Sequence, residues 1–382
     1  MLDFETNIAD TKLSPIIKWA GGKESELPII HACAPTFFEN YYEPFVGGGS
    51  VFMSFTAKKA FINDKSAELI SLYRAIALQE QGFFFWADKI CTSWDNLLHF
   101  AATHDFFREC YISYRDNKIT DSQLKATVKD FLNTNEVALQ TALQKEFNWH
   151  RDVYSDELYK NLSRKMPRMK KIEQEKGVMP PSDIFDNIET AFMSSLYMYF
   201  RALYNDAALM KENTALATGI FFFIRNYAYS GMFRYNAAGE FNVPYGGIGY
   251  NHKLLHKKID YYTSSTLLAH FANTVIGNTD FHAFLEQYTP TEQDFMFLDP
   301  PYDSEFSTYA KNEFTKADQA RLAQYLIQDC KAKWLLVIKN TPYIYSLYDG
   351  HGLHISSFDK NYKVSFMNRN DRNTEHLIVR NY

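Results

Sequence analysis

The sequence predicts a doubly wound α/β core, split along the chain by a mostly helical insertion. Three observations predict it. Residues 40–80 alternate strand, helix, strand, helix; the alternation resumes at Thr274; and the stretch from about 80 to 220 has helical periodicity, few glycines and many charges. With 382 residues, 46% of them hydrophobic, the chain can bury a core of this size and is too apolar for a disordered protein.

In the first half, NYYEPF (40–45) reads as a strand, VGGG (46–49) as a tight loop and SVFMSFTAKK (50–59) as a helix. AFIND (60–64) is a second strand and SAELISLYRAIAL (66–78) a second helix. Residues 221–250 are aromatic and punctuated by Gly, Asn and Pro, which marks turns or a hairpin and a recognition surface. Further on, TVIGN (274–278) is a strand, FHAFLEQY (281–288) a helix, FMFLDPPY (295–302) a strand ending in a rigid turn, ADQARLAQYLIQDC (317–330) a helix and WLLVIKN (334–340) a strand. HISSF (354–358), YKVSFM (362–367) and EHLIVRNY (375–382) close the sheet. The resulting division is 1–80 for the first part of the core, 81–220 for the insertion, 221–260 for the loop or hairpin region and 261–382 for the second part of the core.

The strongest apolar runs, 83–86 and 219–224, fall far short of the roughly 18 residues of a membrane span, so no membrane association is expected. The start, MLDFETNIAD, lacks the basic and apolar blocks of a signal peptide, which places the expected site of action in the cytoplasm. Cys33, Cys91, Cys110 and Cys330 lie far apart with no zinc spacing, so reduced thiols and no metal are expected. A net charge of −5 hides two basic segments: 160–176 carries seven Lys or Arg against two Glu, and 225–258 five against one. Such segments suit a nucleic-acid-facing surface and equally a solvated helix face.

Three motifs carry chemistry. In FVGGGS (45–50), between a strand and a helix, the glycines let backbone approach a nucleotide at the carboxyl end of the strand; a plain tight turn has the same look. Asp64 follows Gly47 by 17 residues at the end of the next strand, near the spacing of a ribose-binding carboxylate, and also stands where a helix N-cap would. In Asp299-Pro300-Pro301-Tyr302 the two rings restrict the backbone and aim the Pro300 carbonyl, beside a carboxylate and a flat aromatic face. Two acceptors and a stacking face suit a planar group bearing an NH₂, such as a nucleobase, although two prolines also simply stop a strand. KWAGGK (18–23) sets a cation and paired glycines beside Trp19, as a phosphate or carboxylate site would, or a surface loop.

KWAGGK, EPFVGGGSVF, NDKSAEL, RYNAAGEFNVP, LDPPY and TEHLIVRNY, in this order, resemble the Dam-type adenine-specific DNA methyltransferases, with the motif order of the alpha group. The resemblance covers roughly 16–76, 225–250 and 275–382. It implies a Rossmann-like S-adenosyl-L-methionine-dependent core with a helical target-recognition domain inserted, acting on the N6 amine of a flipped-out adenine in double-stranded DNA. It further implies cofactor contacts at Trp19, Lys23, Asp64 and Asp299, a pocket wall at Phe45 and Gly47, and an approach to the cofactor's adenine at Asp280 and Phe281. Asp299, Pro300 and Tyr302 take the catalytic positions, and Arg225, Ser230, Arg234 and Asn236 fall in the DNA-contacting stretch. The chain reads YSGMFRYN where many members carry an Asn-Gly pair, so the tetranucleotide those members recognise is not carried over. The long insertion is the largest departure, and its Arg164, Lys165, Arg168, Lys170 and Lys171 are read as added duplex contacts, against the alternative of helical scaffold. A cognate restriction endonuclease in the same system fits the resemblance. The residues also leave other enzymes open: a nucleotide-dependent oxidoreductase, which has no use for DPPY, and an amino-methyltransferase of RNA or protein glutamine, which shares the amine chemistry.

Overall fold

The structure, a computed structural model, describes residues 7–9, 12–19, 21–302, 314–361 and 373–382. The chain forms two compact units, Met1–Leu78 with Tyr262–Tyr382, and Gln79–Tyr261.

The first unit carries a sheet of strands β1 (Asn40–Glu43), β2 (Lys59–Asn63), β3 (Thr274–Gly277), β4 (Phe295–Leu298), β5 (Lys333–Lys339), β6 (His354–Asn361) and β7 (Asn373–Arg380). Their order is β3-β2-β1-β4-β5-β7-β6, with β7 antiparallel to both its neighbours and the other pairs parallel. The continuous apolar runs of the central strands follow from burial on both faces: Phe295 to Leu298, and Trp334 to Val337, are all 0% exposed. Tyr42 stacks on Phe61 at 4.6 Å on one face, while Tyr41, pointing to the other, meets Phe38, Phe55 and Phe295. The order reverses between β1 and β4. Crossovers leave these adjacent parallel strands in opposite directions, which opens a crevice at their carboxyl ends. The loops that follow Glu43 and Leu298 therefore meet there, far apart as they are in sequence.

The helix expected over 50–59 does not form; only one 3₁₀ turn, Phe52–Ser54, is present. Val51, Phe52, Met53 and Phe55 are all buried, which one helical face cannot achieve. The buried Asn7 pins the extended exit: its amide donates to Phe38 O (3.1 Å) and Thr56 O (2.7 Å) and its carbonyl accepts from Phe38 N (2.9 Å). The expected strand YKVSFM lies outside the described residues.

The second unit is helical, with Gln81–Thr103, Arg151–Lys176, Pro181–Asn205 and Thr214–Tyr227 its main helices. The stretch read as loop from 221 begins instead as the last two turns of Thr214–Tyr227. Phe221 to Tyr227 are all buried there, the polar Arg225 and Asn226 among them. The hairpin starts at Ala228 and is closed by bridges Ala228–Tyr245 and Tyr235–Phe241. Among the described residues no helix is long and apolar enough to cross a membrane, and no group of three or more His, Cys, Asp or Glu is placed to hold a metal.

Candidate active site

A cavity of about 360 Å³ opens at the carboxyl ends of β1, β2 and β4, within the first unit. Its volume is that of a small-molecule site. Trp19, Lys23, Phe45, Gly47 and Asp64 line it from one half of the sequence, and Asp280, Phe281, Asp299, Pro300 and Tyr302 from the other.

The glycine loop after β1 is compressed rather than merely flexible. A Cβ on Gly48 would meet Ile17 O at 2.5 Å, and one on Gly47, whose φ is +49°, would meet Trp19 at 2.9 Å. Asp64 ties this loop to β2: its Oδ2 accepts from Gly47 N (3.1 Å) and its Oδ1 from Ser66 N (2.9 Å). The adjacent N-cap is Ser66, whose hydroxyl accepts from Leu69 N, so Asp64 is not the residue that caps the helix Ala67–Ala77. Burial lifts the Asp64 carboxyl above its ordinary value, against the backbone amides of Ser66, Gly47 and Lys65. The carboxylate still lines the cavity, with part of its acceptor capacity turned to a ligand.

At the end of β4, Asp299 Oδ2 is paired with Lys23 Nζ, 276 residues away in sequence. Lys23 is only 2% exposed and also donates to Gly21 O (2.9 Å) and Tyr302 Oη (3.1 Å). The paired glycines of KWAGGK thus turn the chain so that its lysine points inward. Removing one member of such a desolvated pair costs on the order of 3–5 kcal/mol. The double-proline turn is held from behind by Gln319, 0% exposed, whose amide donates to Pro301 O (2.8 Å).

Glu43, Arg321 and Phe314 join the residues expected to form the site. Glu43, the last residue of β1, is buried in the cavity wall and accepts from Tyr41 Oη at 2.6 Å. Burial pushes its carboxyl well above the usual range, and the nearby Asp299 adds to the effect. Arg321 forms a fork with Asp280, both N–O distances 2.8 Å, and lies 4.6 Å from the centre of the Phe281 ring. Asp280 Oδ1 also accepts from His282 N, so three of its four acceptor positions are taken. Burial would raise the Asp280 carboxyl, but Arg321 and that amide hold it below its ordinary value. Phe45, Phe281 and Phe314 form a three-ring cluster, with centroids 5.5–5.9 Å apart.

The family model for D12 class N6 adenine-specific DNA methyltransferases matches residues 19–177 and 154–364, most of the chain. The chain belongs to this family. It is an N6 adenine-specific DNA methyltransferase of the D12 class. A type II methyltransferase of Paramecium bursaria Chlorella virus NC1A, M.CviBI, is 24% identical over 376 residues, 97% of this chain and 100% of the relative. The type II methyltransferase M1.LlaDCHI of Lactococcus lactis subsp. cremoris is 23% identical over 349 residues, 90% of this chain and 87% of its own. A DNA adenine methylase of Salmonella typhi is 24% identical over 319 residues, 81% and 73% respectively.

The second unit of this D12 methyltransferase sorts its basic residues. On the helix Arg151–Lys176, Arg164, Arg168 and Lys171 are exposed at positions that share one face, while Met166 and Met169 are 0% exposed on the other. Lys165 and Lys170 are turned inward. Lys165 donates to Asn187 Oδ1 (3.3 Å), and burial lowers its pKa; Lys170 donates to Tyr114 O (2.9 Å) and Asn117 Oδ1 (2.8 Å). These two therefore depart from the reading that all five are duplex contacts. Arg225 departs from it more strongly. It is 1% exposed, lies 4.8 Å from the centre of the Phe233 ring, and burial lowers its pKa to about 10, so it supports the hairpin from within. Ser230 is half-buried with a left-handed φ of +52°, at the turn into the hairpin. Arg234 is exposed and donates to Asn242 Oδ1 (3.1 Å). Asn236 shapes the hairpin tip, its Oδ1 accepting from Ala238 N (3.0 Å) and Glu240 N (2.9 Å).

Proposed function

We propose that this enzyme transfers a methyl group from S-adenosyl-L-methionine to the N6 amine of an adenine turned out of double-stranded DNA, with both held in the same cavity of the first unit. The observation that carries the reading is the meeting of two arrays there: the glycine loop with Asp64, and the Asp299-to-Tyr302 turn. The residues present fit the cofactor. Asp64 keeps acceptor capacity for a ribose hydroxyl, the contacting Phe45 and Phe281 rings, tilted by 40°, give the wall an aromatic surface, and the glycine loop leaves backbone exposed to the cavity. When bound, this cofactor supplies a methyl group activated by a sulfonium.

The adenine amine is a poor nucleophile because its lone pair is delocalised into the ring. Asp299 and the Pro300 carbonyl accept its two hydrogens and so favour charge building on nitrogen, using dipoles already in place. Lys23 donates to Asp299 Oδ2 and so fixes the carboxylate in the cavity wall, beside the Pro300 carbonyl. The surplus proton passes to Asp299 or to water beside it. Turning the base out costs a few kcal/mol, and stacking on Tyr302 at roughly 1–3 kcal/mol offsets much of it. Arg164, Arg168, Lys171 and the exposed Arg234 position the duplex by its phosphates and base edges. The type II names of two relatives support pairing with a cognate restriction endonuclease.

The reading is tested with methyl-labelled S-adenosyl-L-methionine and duplex DNA. It predicts label in N6-methyladenine, and for Asp64→Ala a rise of at least tenfold in KM for the cofactor, with KM for DNA within twofold. Label absent from adenine, or an unchanged cofactor KM, contradicts it.

A further inference from the structure

Tyr302 is held at its hydroxyl from two sides. Lys23 Nζ donates to Tyr302 Oη at 3.1 Å, and His376 Nε2 stands 3.2 Å from the same oxygen. His376 projects from β7 and is 0% exposed, its ring 5.4 Å from that of Tyr302 and 5.7 Å from that of Phe358 on β6. A lysine ammonium only donates, so the Tyr302 oxygen accepts from Lys23, and the bond between Tyr302 and His376 runs according to the imidazole tautomer. With Nε2 unprotonated, Tyr302 donates to His376.

We propose that His376 is a positioning residue of the target-base site. As acceptor for the Tyr302 hydroxyl it fixes, with Lys23, the plane of the ring on which the extruded adenine stacks; the inference rests on that role for Tyr302. The prolines restrict the backbone before Tyr302 but leave both side-chain torsions free. Those are set by packing along the ring and by the hydrogen bonds at its hydroxyl. A ring ordered before the base arrives spares the cost of ordering it during capture, so its loss reads out in base capture and not in cofactor binding.

The test compares His376→Phe, which keeps a ring beside Phe358 and removes the acceptor, with His376→Gln, Tyr302→Phe and the double variant His376→Phe/Tyr302→Phe. Three quantities are measured: kcat/KM for duplex DNA, equilibrium binding of S-adenosyl-L-methionine, and fluorescence of 2-aminopurine placed at the modified adenine. His376→Phe is expected to lower kcat/KM for DNA and the 2-aminopurine signal roughly tenfold, with cofactor binding within twofold. His376→Gln, which keeps an acceptor, recovers most of the loss. On the Tyr302→Phe background the same change costs less than twofold, because the bond is already gone. Equal losses on both backgrounds, a parallel loss of cofactor binding, or wild-type values for His376→Phe overturn the proposal. Should His376→Phe fail to fold, Tyr302→Phe leaves β7 untouched and must itself show the tenfold loss; wild-type values there overturn the proposal as well. Tyr302→Ala separates this inference from the reading beneath it. Wild-type extrusion and rate in that variant reject Tyr302 as the base platform, whereas an impaired Tyr302→Ala beside an unimpaired His376→Phe rejects His376 alone.

Discussion

Glu43, Asp64 and Asp299 are three carboxyl groups at the ends of three neighbouring strands, and their surroundings give them different properties. Asp299 has a buried lysine, Asp64 has backbone amides, and Glu43 has a tyrosine hydroxyl and little water. A carboxyl whose folded pKa is raised holds its proton in the folded state when the unfolded chain has lost it. Folding is then disfavoured as pH rises from the ordinary value of 4.5 towards the raised one. Glu43→Gln removes that penalty. Its melting temperature relative to wild type is expected to climb between pH 4 and pH 7 and the difference to vanish below about pH 4, as followed by circular dichroism; a difference independent of pH excludes the mechanism. Asp64 and Asp299 were legible in the sequence because each stands at a fixed offset from a glycine loop or beside two prolines. The roles of Gln319, Arg321 and His376 were not, since the partner of each arrives from another stretch of chain, and that of Glu43 was not, since its burial is set by the strands around it and not by its sequence neighbours. The hydrogen-bond geometry of Tyr302 carried no sequence signal at all.

The elements show where local pattern gave way to packing. The core strands were read from their apolar runs, whereas the helix expected over 50–59 was displaced by the demand to bury four nearby apolar side chains and by the clamp of Asn7. Residues 221–227 misled in the opposite sense, because the apolar FFFI and the polar Arg225 and Asn226 are all buried in one helix, so polarity there does not mark an exposed side. The glycine loop is the element most exposed to small changes. Gly48→Ala sets a methyl against the backbone carbonyl of Ile17, which cannot swing aside as a side chain would. A loss of about 1–3 kcal/mol in stability by denaturant titration is expected, with weakened cofactor binding; retention of both shows that the loop has slack. On the helix Arg151–Lys176, replacing Arg164, Arg168 and Lys171 by Gln is expected to flatten the logarithmic salt dependence of DNA binding by about 0.9 for each phosphate no longer neutralised. Lys165→Gln and Lys170→Gln are expected to leave the slope unchanged, since both side chains already serve internal carbonyls. The reverse pattern assigns the DNA to the other face of the helix.

At the scale of the molecule, the first unit is drawn from two ends of the sequence. The glycine loop follows β1 and the Asp299 turn follows β4, and these strands pair in the sheet although the 183 residues of the second unit, Gln79–Tyr261, lie between them in sequence. The split was visible from the two blocks of α/β alternation; the internal order of the helical unit was not, since helix packing is set by contacts between faces and not by any one face. The proposed methyl transfer turns on Asp299 as the acceptor that readies the adenine amine. The most direct test measures kcat for labelled methyl transfer to duplex DNA at saturating S-adenosyl-L-methionine, using an Asp299→Ala protein shown to be folded. The prediction is a fall of about a thousandfold or more, and transfer at the wild-type rate would contradict the account.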